Sequence, residues 1–170
     1  NPKVVDNPTI ILSQTEYTYD GTAHTPDVTV KDGETVISSI EYSVAYSDNT
    51  EVGTATVTIS DNEDGNYIVS GSTNFIVNAT INRNIAAGTW QAISSPMHDN
   101  GKSYESIANV DGLTDPNYDL LRYNESSATW ENQKEGDGSA GFEIMEIGRG
   151  YIHRCSEART LTFNGMPNEE

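Results

Sequence analysis

Five aromatic side chains gather in the second half of the sequence: Trp90, Tyr118, Tyr123, Trp130 and Tyr151. The chemistry open to them is stacking, because an aromatic ring offers a flat apolar face with a polar tip in Tyr and Trp. Sugar rings are suited to such faces, and Asp119, Asn124, Glu131 and Arg149 stand nearby in sequence to meet hydroxyl groups. A glycan site built this way would use Trp130, Tyr123, Tyr118, Tyr151 and Arg149. The competing expectation is structural: Trp is highly buried on average, so Trp90 and Trp130 are expected in a small core. Trp130, close to a hairpin turn, is the one expected nearer to solvent.

Other reactive groups are sparse. Asp61, Glu63 and Asp64 in the run Asp61-Asn62-Glu63-Asp64 supply the hard oxygen ligands that Ca²⁺ takes. The run lacks the EF-hand spacing, however, and a solvated hairpin turn is the simpler reading. His24, His98 and His153 are far apart and show no H-E-x-x-H spacing, so no zinc site is expected. Residues 136–141, Gly-Asp-Gly-Ser-Ala-Gly, match G-x-G-x-x-G, but the strand before and helix after that a dinucleotide site requires are missing. No G-x-S-x-G elbow occurs, and Glu143 with Glu146 is a spacing that chance supplies on an acidic chain. Cys155, the lone cysteine, sits in a polar stretch with no activating partner close in sequence and reads as a half-buried strand residue. No enzyme activity and no cofactor beyond Ca²⁺ is expected.

Charge narrows the partners. The 170 residues carry 26 Asp and Glu against 9 Lys and Arg, a net charge of −17. Nucleic acids and anionic membrane faces are bound by clustered cations, so neither is an expected partner. With 35% hydrophobic residues and no long apolar run, direct membrane insertion is not expected. One cysteine permits no internal disulfide, which, with abundant Thr, Asn, Asp and Gly, fits a bacterial cell-surface or secreted location. The opening Asn1-Pro2-Lys3 reads as the start of a piece of a larger protein.

The elements that would position these groups are strands. In residues 1–79, Ala55, Val57 and Ile59 alternate with Thr54, Thr56 and Thr58, and Ile40, Tyr42, Val44 and Tyr46 alternate with polar residues. Period two of this kind predicts half-buried antiparallel strands with one face on a core. Asp20-Gly21, Asp32-Gly33, Asp48-Asn49 and Asp64-Gly65 supply the turns, and turn signals this frequent predict a β-sandwich.

The order of these segments is also specific. Leu12 to Ala23, Pro26 to Gly33, Tyr42 to Asn49, Val52 to Ile59, Gly65-Asn66-Tyr67 and Phe75-Ile76-Val77 resemble a bacterial Ig-like surface repeat over residues 8–78. That resemblance implies an Ig-like sandwich used as a non-catalytic spacer. The acidic loop at Asp61 departs from the repeat, which would have only a tight Gly-Asn-Tyr turn there.

From Asn74 to Asn84 the last strand of this module is expected to run into the first strand of another, residues 80–170. There, Tyr118 to Tyr123 and Ala128 to Glu131 flank a hairpin turn, and Gly88 to Pro96, Phe142 to Ile147, Tyr151 to Arg154 and Thr160 to Phe163 read as further strands. Tyr104 to Val110 is the one short helical candidate. Trp90 to Pro96, Tyr118 to Glu125, Thr129 to Asn132, Gly148 to Ile152 and Leu161 to Gly165 resemble a segment of large surface proteins of Bacteroidetes-type bacteria. In that family the pattern continues past the Phe-Asn-Gly segment, so the second domain is expected to be truncated at its C-terminus.

The expected fold class is all-β: an N-terminal Ig-like β-sandwich followed by an antiparallel β-sandwich or partial barrel. The expected function is a spacer joined to an adhesion or assembly module. The alternative is a carbohydrate-binding module of a secreted glycan-processing protein, and the expected partner is a glycan or a surface protein.

Overall fold

The computed structural model describes residues 1–99, 101–113, 118–134 and 141–168. It is all-β, its only helical pieces among the described residues being two 3₁₀ turns, Ser39–Glu41 and Ile107–Asn109. The chain divides into two compact units, Asn1–Asn78 and Ala79–Glu170.

The first unit contains β1 (Lys3–Val4), β2 (Thr9–Leu12), β3 (Glu16–Thr18), β4 (Val28–Asp32), β5 (Thr35–Val36), β6 (Tyr42–Ser47), β7 (Gly53–Asp61) and β8 (Tyr67–Ile68). The strand β9 (Gly71–Ile85) follows. One sheet runs β6-β7-β9 antiparallel and a second runs β2-β4-β5. Ala55, Val57 and Ile59 face the core from β7 and are fully buried with Val30, Phe75 and Val77. Burying each such Val, Ile or Phe contributes about 1.5–3 kcal/mol, which is what holds two short sheets face to face.

Two sequence expectations change here. The strands are not all antiparallel: β1 pairs β8 and β3 pairs β9 in parallel, Glu16 opposite Ile76. The alternation at Ile40 to Tyr46 also does not bury one face uniformly. Tyr42 is in the core, but Ile40 lies in a 3₁₀ turn and Val44 on the edge strand, and both are exposed. The Tyr42 and Tyr46 hydroxyls donate to Val28 O (3.3 Å) and Pro26 O (2.6 Å), tying that edge down through polar contacts instead.

The seam is a single strand. Residues 71–77 of β9 pair with β7 in the first unit, and residues 79–85 pair with β18 in the second. The second unit comprises β10 (Gln91–Ile93), β11 (Met97–His98), β12 (Tyr104–Ser106), β13 (Val110–Asp111), β14 (Tyr118–Asn124) and β15 (Thr129–Asn132). It ends with β16 (Ile144–Glu146), β17 (Tyr151–Cys155) and β18 (Arg159–Pro167). β18 pairs β9 on one side and β13 and β11 on the other. A four-stranded sheet runs β10-β17-β14-β15, and β12 pairs β16. The order leaves β10 and β15 at opposite edges of that sheet, so the described strands make open sheets and not a closed barrel. Gly165 is required where β11 crosses β18, since a Cβ there would meet His98 O at 2.9 Å. Tyr104 to Val110 is mostly extended, with one 3₁₀ turn and no α-helix.

Candidate functional site

The four-stranded sheet positions the aromatic residues, and side-chain parity sorts them. Along β14, Tyr118 and Leu120 point into the core, with exposures of 5% and 0%, while Asp119, Leu121 and Tyr123 take the outer face. Tyr118 and Tyr151, the latter 1% exposed, are therefore core residues and unavailable for stacking on a ligand. Their hydroxyls are used internally: Tyr118 donates to Gln133 Oε1 (2.6 Å), and Tyr151 accepts from the Glu146 backbone N–H (2.8 Å).

The tryptophans do the opposite of what their bulk predicts. Trp90 is 49% exposed and Trp130 53%, and neither belongs to a core cluster. Trp130 lies on the edge strand β15 directly across from Tyr123, itself 42% exposed. The two rings meet edge to face, centroids 5.3 Å apart at 62°. Such a pair is worth about 0.5–1.5 kcal/mol beyond burial, enough to fix the orientation of both rings while their outer faces remain in solvent.

The hairpin carrying them is held by its polar residues. Asn124 Oδ1 accepts from Ser126 N (3.0 Å) and Ser126 Oγ (2.7 Å), an Asx turn that starts the connection, and Ala128 completes it at φ 54°. Asn124 Nδ2 donates to Glu131 Oε1 (2.6 Å) and Arg122 Nε to Glu131 Oε2 (2.7 Å). The Asn124 amide first, then the Arg122 guanidinium, hold the Glu131 carboxyl below its ordinary range. Arg149 bridges Glu146 Oε1 and Tyr123 O, both at 2.8 Å, and Arg122 lies over the Phe142 ring at 4.6 Å. Tyr123, Asn124, Ser126, Glu146, Arg149 and Gly150 line an open polar depression of about 630 Å³.

Of the proposed glycan residues, Trp130 and Tyr123 meet on the outer face, Arg149 reaches the Tyr123 backbone carbonyl, and Tyr118 and Tyr151 lie in the core. The acidic loop is organised differently from a metal site. Glu41 is its centre: the carboxylate accepts from Asn66 Nδ2 (2.9 Å) and Asn66 N, which hold it below its ordinary range, and Asn62 N and Nδ2 donate to Glu41 O (3.2 Å) and Ile40 O (2.7 Å). Among the described residues no three His, Cys, Asp or Glu side chains are gathered as a metal-holding group, so Asp61, Glu63 and Asp64 do not converge. Because protein donors already order this loop, the melting temperature is expected to be the same in millimolar Ca²⁺ and in EDTA. A rise of several degrees in Ca²⁺ would support a calcium site at Asp61, Glu63 and Asp64.

Glu146 Oε1 is paired with Arg149 (2.8 Å) and lies 3.8 Å from Arg122. Cys155 is fully buried, its thiol donating to Ala86 O at 3.8 Å. Residues 136–140 of the glycine motif lie outside the described residues. Sequence reasoning passed over two buried ionisable groups: Glu105 on β12, in contact with Ser95, and His153 on β17, stacked on Tyr118 at 5.8 Å. No helix among the described residues is long and apolar enough to cross a membrane. Compared with known proteins, the chain matches no family model, no curated protein and no solved structure.

Proposed function

We propose that this chain is a non-enzymatic segment of a bacterial cell-surface or secreted protein, in which an Ig-like first unit acts as spacer and the second unit is an adhesion module that binds carbohydrate. The observation that carries the reading is the solvent-exposed Tyr123–Trp130 pair, two aromatics on one sheet face that serve neither core. Leaving such area in water forgoes about 25 cal/mol per Å² of burial, a cost a binding role offsets when a ligand covers the rings. The adjoining depression supplies what stacking lacks: the Glu146 carboxylate, the Arg149 guanidinium and the Asn124 and Ser126 side chains are directional partners for hydroxyls.

The test is a glycan array probed with the protein and with its Trp130→Ala variant. Saturable binding is expected from the parent, with affinity lowered about tenfold or more by Trp130→Ala, the scale of an aromatic anchor. Far-UV circular dichroism should not change and the melting temperature should fall by only a few degrees, since Trp130 gives up its contact with Tyr123 but belongs to no core. Absence of binding at high protein concentration would remove the carbohydrate reading and leave assembly with another surface protein as the module's role. Binding that survives Trp130→Ala would place the site elsewhere.

A further inference from the structure

The outer face of the four-stranded sheet carries a second aromatic position. Strand register defines it: Ala92 faces Ile152, Ile152 faces Leu121, and Leu121 faces Asn132, forming one row across β10, β17, β14 and β15. Two residues further along, on the same face, Tyr123 faces Trp130. Two residues in the other direction, Asp119 faces Arg154, and Trp90 stands just beyond the end of β10 with its ring 5.9 Å from the Arg154 guanidinium. Parity puts Arg154 outside, since His153 and Cys155 on either side of it are buried. Trp90, packed on Arg154, therefore belongs to the outer face as well.

The two indoles occupy diagonally opposite corners. Three strand spacings of about 4.8 Å and four residue rises of about 3.4 Å separate them by on the order of 20 Å. The floor between is Leu121 and Ile152, half-buried, with exposed Ala92. Asn132 donates to Asp119 Oδ1 (3.1 Å) along one side.

We propose that this face binds an extended, uncharged polysaccharide chain, with Trp130 and Tyr123 stacking on one sugar and Trp90, backed by Arg154, on another several residues along the same chain. The proposal rests on the carbohydrate reading above and adds the ligand class and a second subsite. A repeating chain presents a ring face at both corners, whereas a single sugar or a disaccharide reaches only one. Uncharged chains fit because residues 79–170 hold fourteen Asp and Glu against seven Lys and Arg, and a surface field of that sign disfavours uronate- or sulfate-bearing polymers. Arg122 and Arg149 are already paired with Glu131 and Glu146.

The experiment compares the protein with its Trp90→Ala variant on an array of neutral and uronate-bearing polysaccharides, followed by calorimetry with the disaccharide and hexasaccharide of the neutral polymer bound. The hexasaccharide should bind about tenfold more tightly than the disaccharide, the value of one added stacking contact. Trp90→Ala should bring the hexasaccharide down to the disaccharide level, and Trp90→Phe should recover most of the loss. Equal affinities for the two lengths, or a Trp90→Ala variant that binds the hexasaccharide like the parent, would overturn the second subsite while leaving the Trp130 site standing. Binding confined to uronate-bearing polymers would overturn the ligand class. An array on which nothing binds would bring down the carbohydrate reading and this proposal together.

Discussion

Replacing Glu105 by glutamine is expected to stabilise the second unit at pH 8 by on the order of 2 kcal/mol and to leave it almost unchanged at pH 4.5. Glu105 has no exposed surface, and its Oε1 has no hydrogen-bond partner among the described residues. The other oxygen, Oε2, contacts Ser95 Oγ, which also meets Met97 O (2.7 Å) and accepts from Met97 N (3.1 Å). A serine hydroxyl has one proton and here has two acceptors within reach. Both contacts are satisfied when the carboxyl keeps its own proton: Glu105 donates to Ser95 Oγ, and Ser95 donates to Met97 O. Burial pushes this carboxyl from the ordinary 4.5 up to about 7, with the Ser95 contact opposing and the Asp99 charge adding to the rise. A carboxyl whose pKa is higher in the folded than in the unfolded chain binds more protons when folded. Its stabilisation is thus complete below about 4.5 and is lost as pH climbs through about 7. Glutamine cannot ionise, so the loss disappears. Urea unfolding of the parent and the Glu105→Gln variant at pH 4.5, 6 and 8 would show it as a gap that opens with pH. A gap constant across that range would mean that Glu105 binds protons alike in the folded and the unfolded chain.

The reach of sequence reasoning depended on whether a residue's environment is set by its neighbours in the chain. Ala55, Val57 and Ile59 were legible because strict alternation with Thr leaves one choice of face, and the β14–β15 hairpin was legible from its two strands and the polar turn between them. Tyr118 and Tyr123 were not separable, because Tyr118-Asp119-Leu120-Leu121-Arg122-Tyr123 places apolar residues on both parities and gives no local sign of which face meets the core. The hairpin turn beside Trp130 is a local sign of its exposure, but the edge position of its strand is defined only by the order β10-β17-β14-β15, and nothing local marks Trp90, which its size alone would place in the core. The parallel pairing of Glu16–Thr18 with Ile76–Asn78 joins segments far apart in the chain and has no local signature. Glu41 organises the acidic loop from across a hairpin through Asn66, a contact that nothing in the run Asp61-Asn62-Glu63-Asp64 announces. Glu105 lies in Tyr-Glu-Ser, a tripeptide that reads as solvated until the partner strand β16 and the Ser95 segment enclose it.

His153 should give the opposite pH dependence, and replacing it by phenylalanine is expected to protect the second unit from acid by about 2 kcal/mol at pH 4. Its ring is fully buried between Gln91 and Leu120 on the neighbouring strands and stacked on Tyr118 at 14°, and neither ring nitrogen has a hydrogen-bond partner among the described residues. Burial foremost, with Arg159 and Lys134 also lowering and Asp119 opposing, brings its pKa from 6.5 down to about 4. The neutral ring is the folded form, so its stabilisation is complete above about 6.5 and is lost as pH falls through about 4. Phenylalanine keeps the stacked shape and cannot be protonated. Between about pH 4.5 and 6.5 the two groups pull in opposite senses, Glu105 favouring acid and His153 favouring base, and their slopes offset in the parent protein. Each variant should therefore unmask the other group. Stability relative to the parent should fall with rising pH in that window for His153→Phe, which leaves Glu105 alone, and should rise for Glu105→Gln, which leaves His153 alone. Urea titrations of both variants and the double variant test the pairing, and the double variant should track the parent's pH profile across the window at higher stability. A single variant whose profile runs parallel to the parent would show that its residue binds protons alike in the folded and the unfolded chain.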